Sequence, residues 1–136
     1  MRETPWGYIT YLDYKYKVEF EKEEYDIINE HCNKVDIHWF ASPWDVDSVK
    51  FLSEYDIPAL KVPSASLNDI ELLTAMKDTG IPIIISTGMS TQNEVDEAIN
   101  FLSKVDLAVL HCVSTNPTPA SELNLNVIKT FQSKYP

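Results

Sequence analysis

What most constrains this chain is an alternation repeated four times: a short apolar run followed by an amphipathic stretch. The runs occupy residues 37–41, 59–62, 81–85 and 107–110, each bounded by Pro, Gly or polar residues. They are too short for buried helices and partly β-branched or aromatic, as strands are. Their near-continuous hydrophobicity fits strands covered on both faces, the condition of a parallel sheet.

The stretches between them carry helix signals. Asn68 with Glu71, and Thr91 with Glu94, have the form of capping boxes. Val95, Ala98, Ile99 and Leu102 then recur at helical spacing and make one apolar face. Val46, Val49 and Leu52 do the same after the first run, and Val127, Ile128 and Phe131 after the last. An earlier helix is expected over 20–33, with Phe20, Ile27, Ile28 and Cys32 turned inward. Gly80-Ile81-Pro82 punctuates the end of one helix and the start of a strand.

Strand–helix units in series predict an α/β fold. A doubly wound sheet and a closed barrel both satisfy the pattern. The chain has only three glycines and no G-x-G-x-x-G, so the phosphate loop of the doubly wound class is missing. The favoured architecture is a partial (β/α)8 TIM-type barrel of about four parallel strands. A whole barrel takes about 250 residues, and this chain has 136.

Composition narrows the partners. With 21 acidic against 11 basic residues the formal charge is −10. Nucleic acid is excluded as a partner, because phosphate backbones demand a basic stripe. No apolar run approaches the roughly 20 residues of a membrane span. The N-terminus lacks the apolar core of a signal peptide. Cys32 and Cys112 form no CxxC motif; reduced thiols of a cytoplasmic protein are the favoured reading, with a disulfide between them the alternative.

In barrels the chemistry sits where strands end. The first run ends in Ser42-Pro43-Trp44-Asp45. The second carries Lys61 and ends in Pro63-Ser64-Ala65-Ser66. The third ends in Ser86-Thr87-Gly88-Met89, and the fourth in His111-Cys112-Val113-Ser114-Thr115-Asn116-Pro117. Hydroxyls thus gather at one rim, with a lysine rising from an otherwise apolar strand. Together with backbone N–H groups near helix starts they could cradle a phosphate or oxyanion. A second reading stands beside it: Lys61 pairs with a glutamate and the serines cap helices. His31 and His38 fall on a helix and its following loop, and His111 has no ligand neighbour at metal spacing. It reads as a hydrogen-bonded structural residue, and no metal site is assigned within the chain. Cys112 lacks a base and reads as structural, so no nucleophile is assigned.

At these strand ends the sequence closely resembles the sialic acid synthase family. The likeness is carried by Thr4-Pro-Trp-Gly, Thr10-Tyr-Leu-Asp-Tyr-Lys15, Trp39-Phe-Ala-Ser-Pro-Trp-Asp45 and Lys61-Val-Pro-Ser-Ala65. It continues through Ser86-Thr-Gly-Met89, His111-Cys-Val-Ser-Thr-Asn-Pro-Thr-Pro119 and Glu122-Leu-Asn-Leu125, in order and across essentially the whole chain. The resemblance implies a metal-dependent barrel that condenses phosphoenolpyruvate with an N-acylated amino sugar, typically N-acetylmannosamine, giving a sialic acid and phosphate. It places Ser42, Lys61, Ser64 and Ser86 against phosphoenolpyruvate, and Ser114 and Asn116 against the sugar.

Two residues depart from the pattern: Asn116 replaces the tyrosine of a Tyr-Pro pair, and Ser66 stands where some members carry a glutamate. The resemblance also implies that residues 1–136 are an incomplete barrel domain. The first strands, a phosphoenolpyruvate lysine, the two histidine ligands of a divalent Mn or Mg ion, and a C-terminal antifreeze-like domain are expected outside it. Full-length members are homodimers. The isolated chain is expected to be inactive and to associate through open sheet edges. Three other functions remain open: a legionaminic, pseudaminic or spore-coat sugar synthase; a non-catalytic remnant or interaction module; and a class I aldolase with Lys61 as Schiff-base lysine.

Overall fold

The structure, a computed structural model, describes residues 1–135. The chain divides into two compact units, Met1–Ile37 and one beginning at His38.

The first unit opens with a hairpin of β1 (Arg2–Thr4) and β2 (Gly7–Ile9), paired antiparallel with Thr4 opposite Gly7. Gly7 has φ +89, a backbone state that glycine adopts without a Cβ penalty. The Thr4 hydroxyl donates to the Gly7 carbonyl at 2.8 Å and closes the turn. Helix α1 (Tyr11–Val18) follows, capped by Thr10, whose Oγ1 accepts from the Asp13 N–H at 3.1 Å. Helix α2 (Lys22–Val35) realises the expected 20–33 helix, shifted by about one half-turn of the sort usual at helix ends. Its expected inward face is not buried: Ile27 is 66% exposed and Phe20, which precedes the helix, 55%. An apolar stripe needs a facing layer, and this unit is too small to supply one.

The second unit holds the parallel sheet. Strands β3 (Leu60–Val62), β4 (Ile83–Ser86) and β5 (Leu107–Leu110) lie side by side in chain order. Leu60 pairs with Ile83 and Ile83 with Leu107, so the strands start level. Helices α3 (Val46–Leu52), α4 (Ile70–Asp78), α5 (Gln92–Phe101) and α6 (Asn126–Lys134) belong to the same unit.

Three of the four expected strands form; the run over 37–41 does not. Where it would pair with β3, the Lys61 N–H donates to the Ala41 carbonyl at 3.1 Å. Pro43, just beyond, has no N–H to extend the ladder. Nor do residues 38–135 close a barrel; they form an open sheet of three strands.

Side chains alternate across a strand. On one face Leu60, Val62, Ile83 and Ile85 are all at most 1% exposed, packed in a core with Leu72, Leu73, Met76, Val95 and Leu102. The other face carries Lys61, Ile84, Ser86, Ala108 and Leu110, and there Leu110 is 42% exposed. The expectation that both faces are covered therefore holds for one.

Capping explains where the helices begin. Thr91 and Glu94 form the reciprocal box expected of them at α5. Asn68 and Glu71 do not. Asp69 caps α4 instead, accepting from the Leu72 N–H at 3.0 Å, while the Asn68 amide donates to Glu94 at 2.9 Å. Aspartate's carboxylate is the stronger acceptor for an orphan N–H. At the far end of α4, Gly80 takes φ +73.

Helix α6 is tied to α5 through Asp96. Lys134 Nζ reaches one Asp96 oxygen at 2.6 Å, Tyr135 OH bonds the other, and Gln92 donates to Tyr135 at 2.7 Å. The hydrogen bond from Lys134, then that from Tyr135, holds the Asp96 carboxyl below its usual range. A carboxyl whose folded pKa is depressed contributes stability above its unfolded value of about 3.9 and loses it as pH falls through the lowered value. Asp96→Asn should therefore destabilise α6 at pH 6, and its gap from the parent should narrow as pH falls below the usual carboxylate range. Urea midpoints measured from pH 6 downward read this directly, and a gap that widened in acid would contradict it.

Candidate functional site

The pleat and the register together assemble the site. Lys61 on β3 lies opposite Ile84 on β4, and Ser86 is two residues further along β4, on the same face. The Lys61 ammonium consequently donates to Ser86 Oγ, with a longer 3.3 Å contact to the Val62 carbonyl. Ser86 is 5% exposed and Lys61 half-buried. Among the described residues no carboxylate pairs with Lys61, although the chain carries 21 acidic residues. Within the described residues, then, no glutamate neutralises it.

The serines after the strands are not helix caps either. Ser64 begins a short 3-10 turn, Ser64–Ser66, yet its hydroxyl accepts from the Gly88 N–H at 3.1 Å. Ser114 Oγ accepts from the Met89 N–H at 3.0 Å. Ser64, Ser86 and Ser114 each receive a hydrogen bond. A hydroxyl has one proton to donate and two lone pairs, so accepting leaves its proton available to an anion. Thr87 behaves oppositely, donating its hydroxyl to the Leu110 carbonyl at 3.0 Å. It is structural.

Backbone N–H groups contribute less than the sequence suggests. Those of Gly88 and Met89 are engaged by the serines, and that of Thr91 by Glu94 at 2.6 Å. Bonds from the Thr91 backbone and side chain, then from Asn68, keep the Glu94 carboxyl low and charged. It occupies the positive end of α5 that a phosphate would otherwise seek. Any anion here must rely on Lys61 and the hydroxyls.

The remaining candidates divide. Ser42 follows Ala41, whose carbonyl is bonded to the Lys61 N–H, so Ser42 stands beside β3 by backbone connection. Asn116 is exposed, immediately before Pro117, and is not joined to the serine cluster. A cleft of about 340 Å3 opens beside the 87–90 loop, walled by residues including Met89, His111, Ser114, Glu122, Asn124 and Phe131. Ser114 lines it; Lys61, Ser64 and Ser86 do not. His111 Nε2 lies 2.8 Å from the Leu123 carbonyl, which can only accept, so that nitrogen carries the proton and fastens the loop before α6.

Gly88 and Met89 escape sequence reasoning as individual contributors, because their part is played by backbone amides. The one signal for Gly88 is its place between two hydroxyl-bearing strand ends. Among the described residues no three His, Cys, Asp or Glu side chains converge. The described residues thus offer a divalent cation no ligand set of their own. The described residues also include no helix long and apolar enough to cross a membrane. Both cysteines are free thiols.

Comparison with known proteins gives a consistent result. Residues 1–136 match the NeuB family. An N-acetylneuraminate-9-phosphate synthase of Drosophila melanogaster is 33% identical over 134 residues, covering 96% of this chain and 36% of that protein. An N,N'-diacetyllegionaminic acid synthase of Campylobacter jejuni is 28% identical over 124 residues, covering 88% of this chain and 37% of that one. Among solved structures, an N-acetylneuraminic acid synthetase from Leptospira borgpetersenii, crystallised with citrate, superposes with a TM-score of 0.83. It is 35% identical, over 86% of this chain and 42% of that one. The chain thus spans little more than a third of the Drosophila protein's length.

Proposed function

Since this chain belongs to the NeuB family, whose relatives here are named as sugar-acid synthases, we propose that it forms the phosphoenolpyruvate-binding part of such a synthase. The single observation that carries the reading is the Lys61–Ser86 pair on the open sheet face, with no carboxylate on the lysine among the described residues. A half-buried cation is costly unless an anion or hydrogen bonds meet it. Ser64 and Ser86 supply further donors. The cluster suits a small, multiply charged anion with oxygens to bond, and an enol phosphate bearing a carboxylate has that chemistry.

In this reading the residues bind and orient. Lys61 and the serine hydroxyls hold the charged groups, and the uncharged carbon end of the enol is left to meet an aldehyde. The co-substrate is an N-acylated amino sugar, with Ser114 on its side of the 87–90 loop. Helices cover one face of the sheet and leave the Lys61 face free, which supports a barrel interior rather than a doubly wound sheet. Which sugar is condensed is not encoded in the Lys61 cluster, which would meet only the enol phosphate.

Titrating phosphoenolpyruvate into the chain while recording amide resonances tests the proposal. Saturable shifts concentrated at residues 61–66 and 86–89 are expected. Pyruvate, which lacks the phosphate, should bind at least tenfold more weakly, since charge-assisted bonds contribute about 1.5–3 kcal/mol each. Equal affinity for the two would remove the phosphate from the account.

A further inference from the structure

We propose that Gly88 is a positioning residue, with Met89 its counterpart on the other side: their successive amides hold Ser64 and Ser114 so that both hydroxyl protons stay free for ligand. This deepens the binding role proposed above and rests on it. The β4–α5 loop reaches sideways in both directions, Gly88 N–H to Ser64 Oγ at 3.1 Å and Met89 N–H to Ser114 Oγ at 3.0 Å. One serine follows β3 and the other follows β5. The loop therefore sets the hydroxyls of both neighbouring strand ends from one short piece of backbone.

Two further geometric observations bear on this arrangement. A Cβ at residue 88 would sit 2.9 Å from Ser64 Oγ and 3.4 Å from the Cβ atoms of Ser64 and Cys112. A side chain at residue 88 would thus push the Ser64 hydroxyl out of place, while its approaches to the two Cβ atoms are ordinary contact. Met89 holds φ +62, in the left-handed region that a non-glycine side chain disfavours. That strain sits at the residue whose amide reaches Ser114. Sparsely populated backbone states of this kind persist where surrounding structure over-determines them.

A double-mutant cycle tests the inference, because a residue acting through Ser64 should lose its effect when the Ser64 hydroxyl is gone. Phosphoenolpyruvate affinity is measured for the parent chain, Gly88→Ala, Ser64→Ala and the double variant. With Ser64 present, Gly88→Ala should weaken binding by about tenfold, the worth of one charge-assisted bond. In the Ser64→Ala background the same change should cost less than about twofold, since the 2.9 Å contact is gone. Equal losses in the two backgrounds would overturn the role.

Should Gly88→Ala not fold, the amide protons decide the matter without it. Ser64→Ala should move the Gly88 amide resonance upfield and Ser114→Ala that of Met89, as each loses its acceptor. Unmoved amides would overturn the inference. Should the parent chain fail to bind phosphoenolpyruvate, the functional proposal fails, while these two amide shifts still decide whether the loop positions the serines.

Discussion

On the proposed function, replacing Lys61 with methionine should lower phosphoenolpyruvate affinity by about 10- to 100-fold, the equivalent of about 1.5–3 kcal/mol for one charged hydrogen-bonded contact. The chain carries a formal charge of −10, so its overall field opposes a multiply charged anion. On that function binding must come from a local cation, and Lys61 is the one bonded to Ser86 on the open sheet face. Methionine keeps most of the stem's length and removes the charge and its donors.

The same substitution leaves stability unchanged or slightly improved, because a half-buried ammonium without a carboxylate is replaced by an apolar group. Loss of affinity without loss of stability separates a binding lysine from a structural one. Arginine does not restore the parent affinity, since a planar guanidinium cannot occupy the place of a compact ammonium against Ser86. Calorimetric titration and thermal melts on the three proteins check this. An affinity within twofold of the parent for Lys61→Met would contradict it.

The second large effect lies beneath the sheet. Leu73→Ala should destabilise the His38-onward unit by about 2–5 kcal/mol, from lost burial plus the cavity left behind. Leu73 is 0% exposed, on α4 between β3 and β4 in the chain, with Leu72 at 1% and Met76 at 0% beside it. A domain of this size has about 5–15 kcal/mol in total, so the variant comes near the unfolding threshold. At about 4–8 °C per kcal/mol its melting point falls by at least about 8 °C. Glu97→Ala, on the exposed side of α5, should change stability by no more than about 0.5 kcal/mol. Urea denaturation gives both values, and near-equal midpoints for the two variants would show that the core has been misplaced.

Much of the fold is legible in the letters because buried parallel strands write themselves as short apolar runs. The runs over 59–62, 81–85 and 107–110 correspond to Leu60–Val62, Ile83–Ser86 and Leu107–Leu110. The run over 37–41 has the same composition, but a strand is defined by its partners, and composition does not report who lies alongside. The hairpin over residues 2–9 leaves no such trace because its strands have three residues each, too few to show a period.

At the site, Lys61 and Ser86 are identifiable as candidates, since a lysine inside an apolar strand and a serine at a strand end are both conspicuous. Their direct contact is not, because it follows from register: Lys61 faces Ile84, and the pleat brings Ser86 to the same side. The amides of Gly88 and Met89 cannot be read from side-chain chemistry at all. Asn68 invites a capping box one residue too early, where Asp69 supplies the better acceptor.

Crystals of the chain grown with phosphoenolpyruvate provide the most direct measurement. Phosphate or carboxylate oxygens are predicted within hydrogen-bond distance of Lys61 Nζ and of the Ser64 and Ser86 hydroxyls at once. A ligand seated elsewhere, with those three side chains bonded as they are without it, would contradict the account.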